Sequence, residues 1–80
     1  MPHLTEETNL GTIVVYQNYT KTYDTGIISY KGKYGVTILY LDGSTRSASY
    51  SNAYNIPILD EAVTPISNEE FTTRYPEYFI

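Results

Sequence analysis

The chain has 80 residues and a net charge of −4, with ten tyrosines, one histidine and no cysteine or tryptophan. A chain of this length makes one domain that buries only about 60–65% of its unfolded surface, without cysteine it has no disulfide to add margin, and His3 alone is too little for a structural zinc site. Cysteine catalysis is excluded, no serine has a credible base, and single glycines at turns and strands leave no phosphate-cradling loop.

Residues 1–10 are polar and aperiodic and read as a flexible N-terminal arm, leaving 11–80 as a single small β-rich domain. The arm has no basic stretch and no apolar segment, so it is not a secretory signal. No apolar run approaches the ~18 residues that span a bilayer. The expectation is a soluble cytoplasmic protein that does not engage a membrane.

The run from Thr12 to Tyr19 is dense in β-branched and aromatic residues and predicts the first strand. Asp24-Thr25-Gly26 has turn chemistry, and Gly26 to Tyr30 predicts the second strand. Lys31-Gly32-Lys33 reads as a three-residue turn, which sets Ile28 and Tyr30 on the side of Val36 and Ile38 in a third strand, Tyr34 to Leu41. Both faces of that strand are apolar, so it is expected to be central and covered on both sides. Asp42-Gly43 between two β-like runs predicts a two-residue hairpin loop. That register pairs Leu39 with Arg46 and sets Gly35 opposite Tyr50, whose ring would cover the bare glycine.

After Tyr50 the pattern weakens. Pro57 confines Ile56 to Leu59 to an edge strand, and Ser67-Asn68-Glu69-Glu70 has capping-box spacing. A short helix from about Asn68 to Tyr75 follows, with Phe71 and Tyr75 on its inner face and Pro76 at its end. Phe79 and Ile80 are expected to dock, because burying each is worth about 1.5–3 kcal/mol. The sum is a mainly β fold, a small SH3-like barrel or half-barrel meander of four to five short strands with a short C-terminal helix. The segment Gly35-Val36-Thr37-Ile38-Leu39-Tyr40-Leu41-Asp42-Gly43, within Gly26 to Tyr50, resembles the SH3-like and Tudor-like small barrels over about a third of the chain.

Residues 1–50 balance their charges. The net charge lies in 51–80, where Asp60, Glu61, Glu69, Glu70 and Glu77 outnumber Arg74. Such a segment repels phosphates and argues against nucleic acid as a partner. Tyrosine buries ring area and keeps a wet hydroxyl, which suits contact surfaces. The tyrosines of loop and edge contexts, Tyr19, Tyr23, Tyr54 and Tyr78, together with Phe79, are the expected exposed protein-binding surface.

The leading expectation is a non-enzymatic protein-binding module or inhibitor, of the compact type that bacteriophages make, with another protein and itself as partners. One alternative is an acidic mimic or plug of a nucleic-acid-binding cleft. The other is a nucleotide or sugar site between subunits, contacted by Arg46, Tyr50, Asn52 and Asn55. No catalytic residue, metal ligand or cofactor is expected.

Overall fold

The computed structural model describes residues 3–17 and 23–79, the Phe79 side chain excepted. Five strands, β1 (Thr12–Gln17), β2 (Tyr23–Lys31), β3 (Gly35–Tyr40), β4 (Thr45–Ser49) and β5 (Asn55–Glu61), precede one helix, α1 (Asn68–Arg74), and a 3-10 turn (Pro76–Phe79). The strands form one antiparallel sheet in the order β4-β3-β2-β1-β5. The fold is mainly β with a short C-terminal helix, as the sequence led us to expect. Among the described residues the sheet does not close into a barrel, because β4 and β5 are not paired. None of the described helices is long and apolar enough to cross a membrane.

The sheet is nevertheless curled. Tyr50 donates its amide to the Tyr34 carbonyl at 3.2 Å beside β3, and the Tyr54 carbonyl accepts the Gln17 amide at 2.9 Å beside β1. Four Cα steps separate these two residues and reach at most about 15 Å. A flat sheet of five strands is about 19 Å from edge to edge. The edges must therefore bend toward each other.

Strand alternation gives the sheet two faces, and both are covered. On the inner face Val14, Ile28, Val36, Ile38 and Ala48 form one cluster, with Tyr40 and Tyr50 against it. Leu4, 1% exposed, completes that cluster. Within the segment expected as a flexible arm, Leu4 packs into this apolar face, and Lys31 Nζ donates to the Glu6 carbonyl at 3.1 Å. On the outer face Ile13, Val15, Ile27 and Ile58 meet Ile66 and Phe71.

Helix α1 begins where its cap predicts. The Ser67 side chain accepts the Glu70 amide at 3.0 Å, and the Tyr75 amide closes the last turn on the Phe71 carbonyl. Phe71 is fully buried, with Tyr75 at a ring separation of 5.1 Å. Pro76 opens the 3-10 turn that lays Tyr78 6.0 Å from the Phe71 ring. The expected docking of Phe79 and Ile80 lies outside the described side chains.

Three local expectations are corrected. Asp24-Thr25-Gly26 is not a turn but lies inside β2. Gly26 serves close approach there: a Cβ would stand 2.5 Å from Ile38 Cγ2 and 2.7 Å from the Leu39 carbonyl oxygen. The β2–β3 turn is Lys33-Tyr34, closed by the Gly32 amide on the Gly35 carbonyl at 2.8 Å. A register shift between Ile28 and Tyr30 keeps Ile28 with Ile38 but pairs Tyr30 with Thr37, so Tyr30 turns out to solvent.

The third correction is the β3–β4 register. Leu39 pairs with Thr45, Ile38 with Arg46 and Gly35 with Ser49. The loop has three residues, Leu41, Asp42 and Gly43. The Gly43 amide bonds the Tyr40 carbonyl at 3.0 Å, and Gly43 has φ of 87°, which is the left-handed position of a three-residue hairpin loop. Tyr50 does not lie opposite Gly35. Its hydroxyl donates to the Gly32 carbonyl at 2.6 Å instead. β3 is paired on both sides, but β2 is the middle strand.

Candidate functional site

The ladder between β2 and β3 ends at the pair Gly26–Tyr40, while β2 continues beside β1 to Tyr23. Residues Tyr23 to Thr25 therefore lie beyond the end of the β3 ladder. The start of α1 meets this stretch. Asn68 Oδ1 accepts the Thr25 amide at 3.1 Å and Asn68 Nδ2 donates to the Tyr23 carbonyl at 3.3 Å. Between this stretch, the β3–β4 loop and the segment Ile66 to Glu69 lies an open cleft of about 570 Å³.

Its lining is acidic, with Asp24, Asp42 and Glu69 against Arg46. Asp42 is held below the usual carboxylate range by the Ser44 hydroxyl and amide, which donate to its Oδ1 at 2.6 and 2.9 Å. Two side-chain oxygens of lining residues, Thr25 Oγ1 and the Tyr40 hydroxyl, are buried and lack a hydrogen-bond partner among the described residues. Thr25 is 3% exposed. Burial raises the Tyr40 phenol above its ordinary range, Arg46 opposes that rise and Asp24 adds to it. Tyr40 thus stays a neutral hydroxyl, able to donate or accept, across the physiological range.

Among the described residues Arg46 makes no salt bridge but lies on rings. Its guanidinium carbon sits 4.2 Å from the Tyr16 ring centroid and 5.9 Å from that of Tyr40. Tyr54 packs edge-on to Tyr16 at 6.3 Å. Asn55, opposite Tyr16 in the ladder, is 1% exposed, and its amide has no partner among the described residues.

The four candidate ligand contacts are thus split. Arg46 and Asn55 are brought together through Tyr16, whereas Tyr50 is tied to the β2–β3 turn. Asn52 shapes the β4–β5 connection, its Oδ1 accepting the Tyr54 amide at 2.9 Å.

Of the expected protein-binding residues, Tyr54 is exposed. Tyr23 is half-buried on the outer cluster, its hydroxyl accepting from Gln17 Nε2 at 3.1 Å, and Tyr78 is half-buried on Phe71. Tyr19 lies outside the described residues, as does the Phe79 side chain. The exposed large apolar side chains are different ones: Leu10, Tyr30, Leu41, Val63 at 98%, Leu59 at 92% and Tyr34 at 77%. Among the described residues no three metal-ligating side chains come together.

Sequence reasoning missed Tyr16, Asp24, Thr25, Tyr40 and Asn68 as members of one site. The available signal was the hairpin: a three-residue loop, which Asp-Gly also suits, puts Arg46 on the face of Tyr40. No protein-family model matches the chain, and no curated protein or solved structure matches it.

Proposed function

We propose that the protein is a non-enzymatic protein-binding module, self-association included. One observation carries the reading. In a domain this small, Leu59 and Val63 are almost wholly exposed and Leu10, Tyr30 and Tyr34 are largely so, and exposed apolar surface supports a role in contacts with a partner. Inhibition by covering a partner's surface is the form of this activity that the size suits. The strand order β5-β1-β2-β3-β4 with its short β4–β5 connection supports the finer reading of an open half-barrel of the SH3-like type.

The test has two arms. Light scattering with size-exclusion chromatography, from low to high micromolar, reads self-association. Affinity capture from the native lysate compares the wild type with the Leu59→Ser/Val63→Ser variant, whose changes are on the surface and should leave the fold intact. A partner or second copy held by the wild type and lost by the variant supports the reading. A strict monomer that captures nothing overturns it.

A further inference from the structure

We propose that the cleft between β2, the β3–β4 loop and the start of α1 receives a lysine or arginine side chain of a partner protein. The inference rests on the protein-binding reading and names what the partner presents. Charge is the first argument. Asp24, Asp42 and Glu69 reach the cleft from three separate segments, and no ion pair engages them among the described residues. The one cation of the lining among the described residues, Arg46, is drawn onto the Tyr16 ring. A carboxylate or phosphate entering here would meet three like charges.

Hydrogen-bonding capacity is the second argument. Thr25 is 3% exposed, and its Oγ1 and the Tyr40 hydroxyl have no partner among the described residues. Such orphaned oxygens ask for donors, and both are buried, so an incoming group reaches them by turning the side chains that cover them. A guanidinium brings five N–H groups and an ammonium three. Shape decides between a basic side chain and a bare metal ion. Leu41 and Ile66 supply apolar wall beside the carboxylates, which suits the methylene stem of lysine or arginine. The described residues bring no three metal-ligating groups together.

The test is an NMR titration of the full chain, amide by amide, with tetra-arginine and tetra-lysine peptides and with tetra-glutamate as control. The basic peptides should give saturable shifts confined to residues 24–25, 41–46 and 67–69. Asp24→Asn combined with Glu69→Gln, both at exposed positions, should weaken binding about tenfold or more, a factor that corresponds to 1.4 kcal/mol. Thr25→Val, nearly isosteric, should weaken it a few-fold without lowering the melting temperature.

Shifts that spread over Glu7, Glu61 and Glu77 and persist in the double variant overturn the proposal, as does the absence of saturation. Tetra-glutamate moving the same amides overturns it too. Partner capture that depends on Leu59 and Val63 beside a negative titration removes the cleft alone. The reverse result removes the apolar surface and keeps the cleft.

Discussion

Asn68 stands in for a strand beside Thr25. Its carboxamide accepts the Thr25 amide at 3.1 Å and donates to the Tyr23 carbonyl at 3.3 Å, the pair of bonds that one residue of a neighbouring parallel strand would make. β3 has left β2 at this point, and Asn68 gives the Thr25 amide its acceptor. One side chain therefore ties the helix start to the sheet and forms one wall of the cleft.

Asn68→Ala should cost about 1–3 kcal/mol, because two hydrogen bonds worth roughly 0.5–1.5 kcal/mol each are lost. Hydrogen exchange should locate the effect, with Thr25 losing protection while Ile27 keeps it. Asn68→Asp retains the acceptor and should preserve the protection of Thr25. Unchanged exchange at Thr25 in the alanine variant would show that the bond contributes nothing.

Leu4→Ala should destabilise by about 2–5 kcal/mol, the usual range for a buried leucine. The chain as a whole has only about 4–12 kcal/mol on the per-residue scale. Thermal melting checks this directly. A melting temperature equal to that of the wild type would return the N-terminal segment to the status of a free arm.

Gly26 and Gly43 should differ in kind. Gly26→Ala forces a methyl group against the Leu39 carbonyl and Ile38, and overpacking of that sort costs about 1–3 kcal/mol. Gly43 has open space around it but a φ of 87°. Gly43→Ala should cost about 1–2 kcal/mol through backbone strain alone, and Gly43→Asn distinctly less. Denaturant titration of the three variants gives the order.

A pH-dependent tether joins the C-terminal helix to β5. The Tyr75 hydroxyl donates to Asp60 Oδ2. That bond lowers the Asp60 carboxyl, with the Glu61 amide helping, and the same bond raises the Tyr75 phenol ahead of burial. A lowered carboxyl stabilises above its unfolded value and loses that contribution as pH falls through its folded one. A raised phenol stabilises below its unfolded value and loses the contribution as pH rises through its folded one. The melting-temperature difference between wild type and Tyr75→Phe should be largest from about pH 5 to about pH 9 and shrink beyond both ends. A difference independent of pH would assign the effect to packing.

Arg46→Ala should lose about 0.5–1 kcal/mol, the worth of an exposed cation–π contact. Arg46→Gln should lose nearly as much, since it keeps the stem and drops the charge. The tyrosine emission of Tyr16 and Tyr40 offers a local reading of the same change.

How much of this was legible beforehand follows from the range of the interactions involved. The strand at Thr12, the Pro57 edge, the Ser67 cap and the Phe71 face depend on residues within a turn or two of one another, and the sequence by itself determined them. So did the acidic balance, which is a sum over residues and needs no fold. Tertiary structure alone decided the rest. The hairpin register turned on whether Asp-Gly closes a two- or three-residue loop, and that single residue chose which face Arg46 shares with Tyr40. Asp24 to Gly26 looks like a turn until β1 pairs with it. Leu4 looks free until the curled sheet offers it an apolar face. Asn68 and Thr25 are 43 positions apart, and nothing local in either residue announces the other. Long-range pairing set the cleft, because its walls come from segments that meet only once the sheet has bent and the helix has docked.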